Sequence, residues 1–436
     1  MKLSTVKTGH LRATAAAVLA ALAFVLLTTL PAQAEVVIPS NISGGTLSGS
    51  GWLTVDAVPS ADSATYQYTV NRLDLATGIN APIFSTVVAS NWHLGSIFAN
   101  GTVRRLAVDS VRIAMVFDSS VNENGMITQS DTKIVSFSPS GAEAREQLLP
   151  ASKSSAARRA ARTCDAGPIS YRLLGLDGSG QPVIEASDDR RRSCGDSTNS
   201  SADSVQVLKP DGQLRSVRRW SRRFLSAAEL RDAVGMSNRL DHGYLITESS
   251  RTDQSLPMGR QLLATTTISS LADAKPKVKI RTYTKDFYRE LAVDSSGKLL
   301  VNERTRGGKG KRLDRGVTTI RAYKDLTDVH NGRIVKRGHR YSDAFFCDGR
   351  IGVTTFIPPQ WPGQKGPLLP SRWYDNPAIV ELQNFDGSGK RAIHKSAAPF
   401  RISNSGCSST YAVLKEYGLS SELLVSGRTL AIELAE

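Results

Sequence analysis

The sequence predicts an all-β protein assembled from a repeated antiparallel unit, and three observations carry that reading. Short runs alternate apolar and polar residues through most of the chain, the period of a half-buried strand. Turn chemistry separates the runs, as in Asp177-Gly178-Ser179-Gly180, Pro210-Asp211-Gly212, Ser295-Ser296-Gly297, Asp348-Gly349 and Asp386-Gly387-Ser388-Gly389. Asp-Gly and Ser-Gly supply the positive backbone angles that tight hairpins need. The third observation is a strand–turn–strand signature that recurs along the chain. Helical patterning is confined to the leader, to a turn or two over Ala156–Arg162, and to Ser226–Val234, where Ser226 and Glu229 stand at N-cap and capping-box positions.

The first element is an export signal. Lys2, Lys7 and Arg12 precede an apolar run from Ala15 to Leu27, and Ala32-Gln33-Ala34 supplies a small-x-small cleavage pattern before Glu35. The run falls short of the roughly 20 residues that cross a bilayer. Residues 1–34 are therefore expected to be a cleaved signal peptide, with 35–436 left as one extracytoplasmic domain and no transmembrane anchor in the mature form. No cysteine sits at the cleavage site and no twin-arginine pair precedes the apolar run, which points to export of an unfolded chain without a preloaded cofactor.

The repeated unit follows. Leu291-Ala292-Val293-Asp294-Ser295-Ser296-Gly297-Lys298 leads into Leu299-Leu300-Val301, as Leu106-Ala107-Val108-Asp109-Ser110 leads into Ile113-Ala114-Met115-Val116. Leu174-Gly175-Leu176-Asp177, Arg239-Leu240-Asp241-His242-Gly243 and Phe345-Phe346-Cys347-Asp348-Gly349 introduce further pairs. Third strands are expected at Thr132–Ser138, Ser204–Lys209, Gln261–Ile268, Thr318–Lys324 and Ala378–Asn384, and the units at Asp109, Asp177, Asp294 and Asp348 turn into a fourth. A partial unit is marked by Trp52–Asp56 with Asn71–Gly78 as its third strand, and a last one begins at Gly406-Cys407 before Tyr411–Leu414. Units of roughly four strands at a spacing of about 50 to 70 residues define a β-propeller of about seven blades (six to eight), with the N-terminal strand closing the ring on the last blade. Two stacked β-sandwiches are the competing architecture.

The Asp-Ser-Ser-Gly-Lys turn at 294–298 and the Leu73-Asp74-Leu75-Ala76-Thr77-Gly78 strand end make the chain resemble secreted bacterial propellers of the TolB-like and WD40-like classes. The Trp-Asp dipeptide and its preceding Gly-His are absent, and the likeness is one of architecture over residues 50–436.

The 4 cysteines, Cys164, Cys194, Cys347 and Cys407, read as two disulfides in an exported chain. Sequence leaves the connectivity open, and short loops favour Cys164–Cys194 and Cys347–Cys407. In a propeller the first bond would staple one blade and the second would tie adjacent blades near the seam. No CxxC or HxxxH spacing suggests a metal site, and no cofactor is expected.

The formal charge is +15, with basic runs at Arg158-Arg159 and Arg162, Arg190–Arg192, Arg218–Arg223 and Arg304–Arg315. Such runs either solvate loops or attract polyanions. For an exported chain the expected partner is a protein or an anionic envelope polymer, with no nucleic acid.

Catalytic motifs are missing. There is no Gly-x-Ser-x-Gly elbow, no P-loop and no dinucleotide fingerprint, and Gly307–Lys311 lacks P-loop spacing. His93, His242, His330, His339 and His394 show no metal-ligand pairing; His242 lies at a first turn, where it is either a turn former or a group facing the channel mouth. Asp188-Asp189, followed by arginines, reads as a local ion-pair site. The Pro-rich loop Ile357–Pro377, with Trp361, Trp373 and Tyr374, is either a ligand loop or a cover for a sheet edge. The catalytic residues are thus unknown from sequence. A non-catalytic binding or scaffold protein is the first expectation. An extracellular hydrolase or lyase on an anionic polysaccharide, with its site in the central funnel, is the second.

Overall fold

The computed structural model describes residues 35–434 except 43, 100–101, 124–125, 150–168, 190–199, 224–234, 253–261, 274–275, 284–286, 306–316, 328, 330, 339–340, 357–377, 397–400 and 420–423. Apart from a 3-10 turn at Ser40–Ile42, the regular elements among these residues are all strands.

Seven antiparallel sheets form the blades. Blade 1 is β2 (Thr46–Ser48), β3 (Gly51–Pro59), β4 (Thr65–Asp74) and β5 (Asn80–Ala89). Blade 2 has an inner strand in two pieces, β6 (Trp92–Leu94) and β9 (Ala107–Val108), followed by β10 (Ile113–Glu123), β11 (Met126–Phe137) and β12 (Arg145–Leu149). Between the pieces stands a separate hairpin, β7 (Ile97–Ala99) and β8 (Thr102–Arg104). Blade 3 is β13 (Ile169–Leu176), β14 (Pro182–Asp189), β15 (Ser200–Leu208) and β16 (Leu214–Arg223); blade 4 is β17 (Gly235–Asp241), β18 (Tyr244–Thr252), β19 (Leu262–Ser270) and β20 (Pro276–Tyr283). Blade 5 is β21 (Phe287–Val293), β22 (Leu299–Thr305), β23 (Val317–Tyr323) and β24 (Arg333–Gly338); blade 6 is β25 (Tyr341–Cys347), β26 (Arg350–Phe356), β27 (Ile379–Gln383) and β28 (Arg391–Lys395).

Blade 7 closes the ring. It takes β29 (Arg401–Cys407), β30 (Tyr411–Leu419) and β31 (Leu424–Glu433) from the end of the chain and β1 (Glu35–Ile38) from its start, with Glu35 opposite Ile432. The architecture is the propeller expected from the repeat, and first strands of successive blades touch one another around the axis. Two details differ from expectation. The first unit is a complete blade rather than a partial one, and the unit at Asp241 also has its fourth strand, β20.

Seven apolar clusters fill the joints, one between each pair of neighbouring blades. Phe117 and Phe137 meet Tyr68 and Val70 between blades 2 and 1, Leu174 and Val205 meet Leu240 and Leu245 between 3 and 4, and Trp52 meets Tyr411 and Val413 between 1 and 7. This follows from the alternation: each blade is apolar on both faces and buries neither alone. Full burial of one such side chain contributes about 1.5–3 kcal/mol.

Outer strands carry a recurrent irregularity. In blades 1, 3, 4, 5 and 6 one residue of the fourth strand is skipped by the ladder: Ile83, Val217, Lys277, Val335 and Ile393. A bulge sharpens the local right-handed twist, which fits the splay of a blade away from the axis.

Arginines knit the joints. Arg172 donates to the Asn238 carbonyl at 3.2 Å, Arg239 to Leu291 at 2.6 Å, Arg215 to Leu271 at 3.3 Å and Arg350 to Ser409 at 3.4 Å, each across to the next blade. Arg218, within an expected polyanion run, instead donates to Thr247 of blade 4, and Arg304 is buried against Thr318. Part of the basic excess is therefore structural.

The Cys347–Cys407 disulfide is present and joins the inner strands of blades 6 and 7. Cys164 and Cys194 lie outside the described residues, as do the leader, the expected helical pieces at 156–162 and 226–234, Arg190–Arg192, 306–315 and the loop 357–377. No described helix is long and apolar enough to cross a membrane.

Candidate functional site

Antiparallel order gives the propeller two unlike faces. First-to-second and third-to-fourth turns share one, called here the turn face; second-to-third and inter-blade connections share the other, the connection face.

On the turn face, aspartates at the strand ends close the hairpins. Asp177 accepts from Ser179 N and Oγ and from Gln181 N, and Asp294 does the same for Ser296 and Lys298. Asp109 and Asp241 additionally reach the next blade, accepting from Gly180 N at 3.0 Å and Val293 N at 2.8 Å.

His242 sits at the first turn of blade 4, with its side chain 54% exposed. It occupies the first corner of a two-residue turn with φ 43°, a backbone that glycine, asparagine or aspartate adopts at lower cost. Its Nδ1 lies 2.8 Å from Asp241 Oδ1 and 3.0 Å from the Val293 carbonyl. Both are acceptors, so Nδ1 carries the proton. Asp241 and His242 thus hold both backbone polar groups of Val293. The Asp241 hydrogen bond raises the imidazole above its usual titration range, outweighing burial.

A hairpin crosses the axis. The β7–β8 hairpin leaves blade 2 at Gly95 and packs against β13 of blade 3 and β17 of blade 4, with Ile97 fully buried among Leu173, Leu176 and Ile184. Arg104 at its end crosses to blade 7 and donates to the Ser405 carbonyl at 3.2 Å. The β29 ladder skips Ser405 between Asn404 and Gly406, so the bulge frees a carbonyl and the guanidinium takes it. Burial depresses the Arg104 pKa, partly countered by the Asp241 carboxylate.

Toward the connection face the same inner strands are open. His93 on β6, Ser170 and Arg172 on β13, Ser237 on β17 and Glu290 on β21 are exposed although they belong to the innermost strands, whereas Leu173, Leu240, Leu291 and Phe345, lower on those or neighbouring inner strands, are buried. The result is a recess with the hairpin beneath it.

On its wall at blade 2 stands Asp118, directly opposite His93 on one side and Thr132 on the other. Residues directly opposite in a ladder share a face, so the three form one row turned toward blade 3, above Ala114 and Val116. Thr132 Oγ1 donates to Asp118 Oδ1 at 2.9 Å. Burial holds the Asp118 carboxyl above the ordinary aspartate range, against the pull of that hydrogen bond. Gly95 passes so closely that a Cβ there would stand 2.9 Å from Asp118 Oδ2. On the first strand of blade 6, Asp343 is approached by Asn302 of blade 5 at 3.4 Å. Glu290, on blade 5, lies across the axis from blade 2.

Of the other sequence candidates, His394 is buried at the seam, its Nε2 2.7 Å from Glu416, while His330 and His339 lie outside the described residues. Asp188 and Asp189 end β14, and the arginines expected to pair with them lie outside the described residues. No group of three or more His, Cys, Asp or Glu among the described residues is arranged to hold a metal ion. Asp118 was not singled out from sequence, although the signal is there: Ala114, Val116 and Asp118 share a face of one strand, and a carboxyl is out of place in that row.

No family model and no curated protein matches the chain. Among solved structures it is similar to the polysaccharide lyase Uly1, at 7% identity over 90% of each chain with a TM-score of 0.45. It is also similar to an acylaminoacyl peptidase of Pyrococcus horikoshii, at 10% identity over 94% of this chain and 53% of that one, TM-score 0.44; the present chain spans about half of that protein. The WD40 domain of SCAP from fission yeast aligns at 8% identity over 87% and 84%, TM-score 0.35. The likeness is architectural.

Proposed function

We propose that the mature chain, freed of residues 1–34, is an extracytoplasmic propeller enzyme that depolymerises an anionic polysaccharide, with its site in the open half of the axial recess. The observation that carries this reading is the half-buried Asp118 beside the exposed His93 on the recess wall. A desolvated carboxyl next to a second proton-handling group is the usual environment of acid–base chemistry. The sequence runs around Arg158–Arg162, Arg190–Arg192 and 306–315 connect strands whose described ends lie on the connection face, and that charge draws a polyanion to the recess.

A second reading, a non-catalytic scaffold that holds an envelope polymer or a protein, is favoured by the same arginine-rich connections. One experiment separates the two. Secreted protein is incubated with polyuronates and sulfated polysaccharides over a salt series, and both bound polymer and polymer length are followed. Shortening of the polymer is the expected result. Salt-sensitive capture without shortening selects the scaffold, and salt-insensitive or absent binding removes both.

A further inference from the structure

We propose that Asp118 and His93 act as an acid and a base on the same side of a uronate-containing chain, making the reaction an elimination rather than a hydrolysis. The inference rests on the polysaccharide reading and adds its chemistry and residues.

The argument is geometric. Asp118 on β10 and His93 on β6 are directly opposed, so their Cβ atoms stand about 4.5–5.5 Å apart on one face of the sheet. Two groups so placed reach a substrate from one direction. Hydrolysis of a glycosidic bond with inversion needs its acid and base on opposite sides of the sugar, about 6.5–9.5 Å apart, and retention needs a nucleophilic carboxylate below the ring. Neither arrangement is met by neighbours on one sheet face.

Elimination has no such requirement when the departing proton and the departing oxygen are on one side. His93 takes the proton from the carbon beside the sugar carboxylate, and that electron pair becomes a carbon–carbon double bond. The adjacent carbon–oxygen bond breaks with its pair going to oxygen, which receives the proton of Asp118. The imidazolium then returns its proton to the Asp118 carboxylate, and no water is consumed. Only a sugar bearing a carboxyl group has a carbon-bound hydrogen acidic enough for this step, which is why the substrate class is a uronate.

The surroundings suit the two roles. His93 is exposed in the recess, whereas Asp118 is half-buried, and Thr132 donates to its Oδ1 alone. Arg105, on the return from the hairpin, is engaged by the carbonyls of Leu94 and Gly95 and by Ser96. Lys133 is turned to the opposite face, over the Trp92 ring.

The test uses the full secreted chain with a glucuronate-rich glycan and mannuronate-rich alginate as probes, sugars whose H5 and O4 lie on one side of the ring, in water enriched in heavy oxygen. Expected are products with the ultraviolet absorbance of an unsaturated uronate and no solvent oxygen at the cleaved bond. D118N and H93A should each lower turnover by about a hundred- to ten-thousand-fold with folding unchanged, since asparagine still accepts the Thr132 bond and His93 is exposed. Depolymerisation that incorporates solvent oxygen would overturn the elimination and leave the enzyme reading intact. Full activity in either variant would overturn the residue assignment. No cleavage of any probe by the wild-type chain would remove the inference together with the reading beneath it.

Discussion

Two joints of the ring hold neighbouring blades with ionisable groups, and they do so with opposite responses to pH. Between blades 4 and 5, Asp241 and His242 grip the backbone of Val293. At the seam, Glu416 on β30 binds His394 of blade 6 at 2.7 Å and Arg428 of β31 at 2.8 Å, while Glu35 of β1 stands 3.7 Å from His394 and 3.6 Å from Arg428. Burial alone would raise the Glu416 carboxyl, but its hydrogen bonds from His394 and Arg428 outweigh it and hold the group below its ordinary value. The first joint uses a histidine raised by its partner and the second a carboxylate lowered by its partners. Stability at the seam is therefore complete above the usual glutamate range and fades as pH falls through the lowered value. Stability at the blade 4–5 joint is complete below about 6.5 and fades as pH rises through the raised imidazole value.

Three substitutions sharpen the contrast. E416Q removes the buried carboxylate that accepts from His394 and Arg428 and should cost about 3 kcal/mol at neutral pH, read as a lower urea midpoint; the acid-side loss of stability should shrink in the same variant. Removing the covalent tie beside that seam, with C347S and C407S together, should cost about 2–4 kcal/mol, read by thermal unfolding against the oxidised parent. An unchanged midpoint would show that the ionic seam holds the ring by itself. H242N keeps a residue that tolerates the positive φ and should cost about 1 kcal/mol at pH 6. Its clearer sign is the disappearance of the fall in stability between about pH 6.5 and the raised imidazole value, with the acid-side slope set by Glu416 unchanged.

Much of the fold was legible because each blade repeats its punctuation. Asp177, Asp241, Asp294 and Asp348 end or follow first strands as read, and at Asp177 and Asp294 the side chain that signals the turn also closes it by local hydrogen bonds. Asp109 misled in part: the unit before it has only Ala107–Val108 as regular strand, because a hairpin is spliced into the inner edge, and an insertion breaks no local rule of sequence. The recurrent bulges were illegible for a related reason. Ile83, Val217, Val335 and Ile393 are apolar residues of the kind any strand carries, and only the register reveals them. The seam cluster joins Glu35, His394, Glu416 and Arg428 from four strands, so no spacing announces it. The charge runs were overread where Arg218 and Arg304 proved to be cross-links.

The closing pair has a consequence for how the molecule is made. Among the described strands β1 comes first along the chain, and its ladder partner, β31, comes last. Until β31 is in place, β1 lacks that partner and the incomplete ring keeps two raw edges, the very surfaces that recruit other chains. Any cell that makes this protein must keep those edges apart until the final strand arrives.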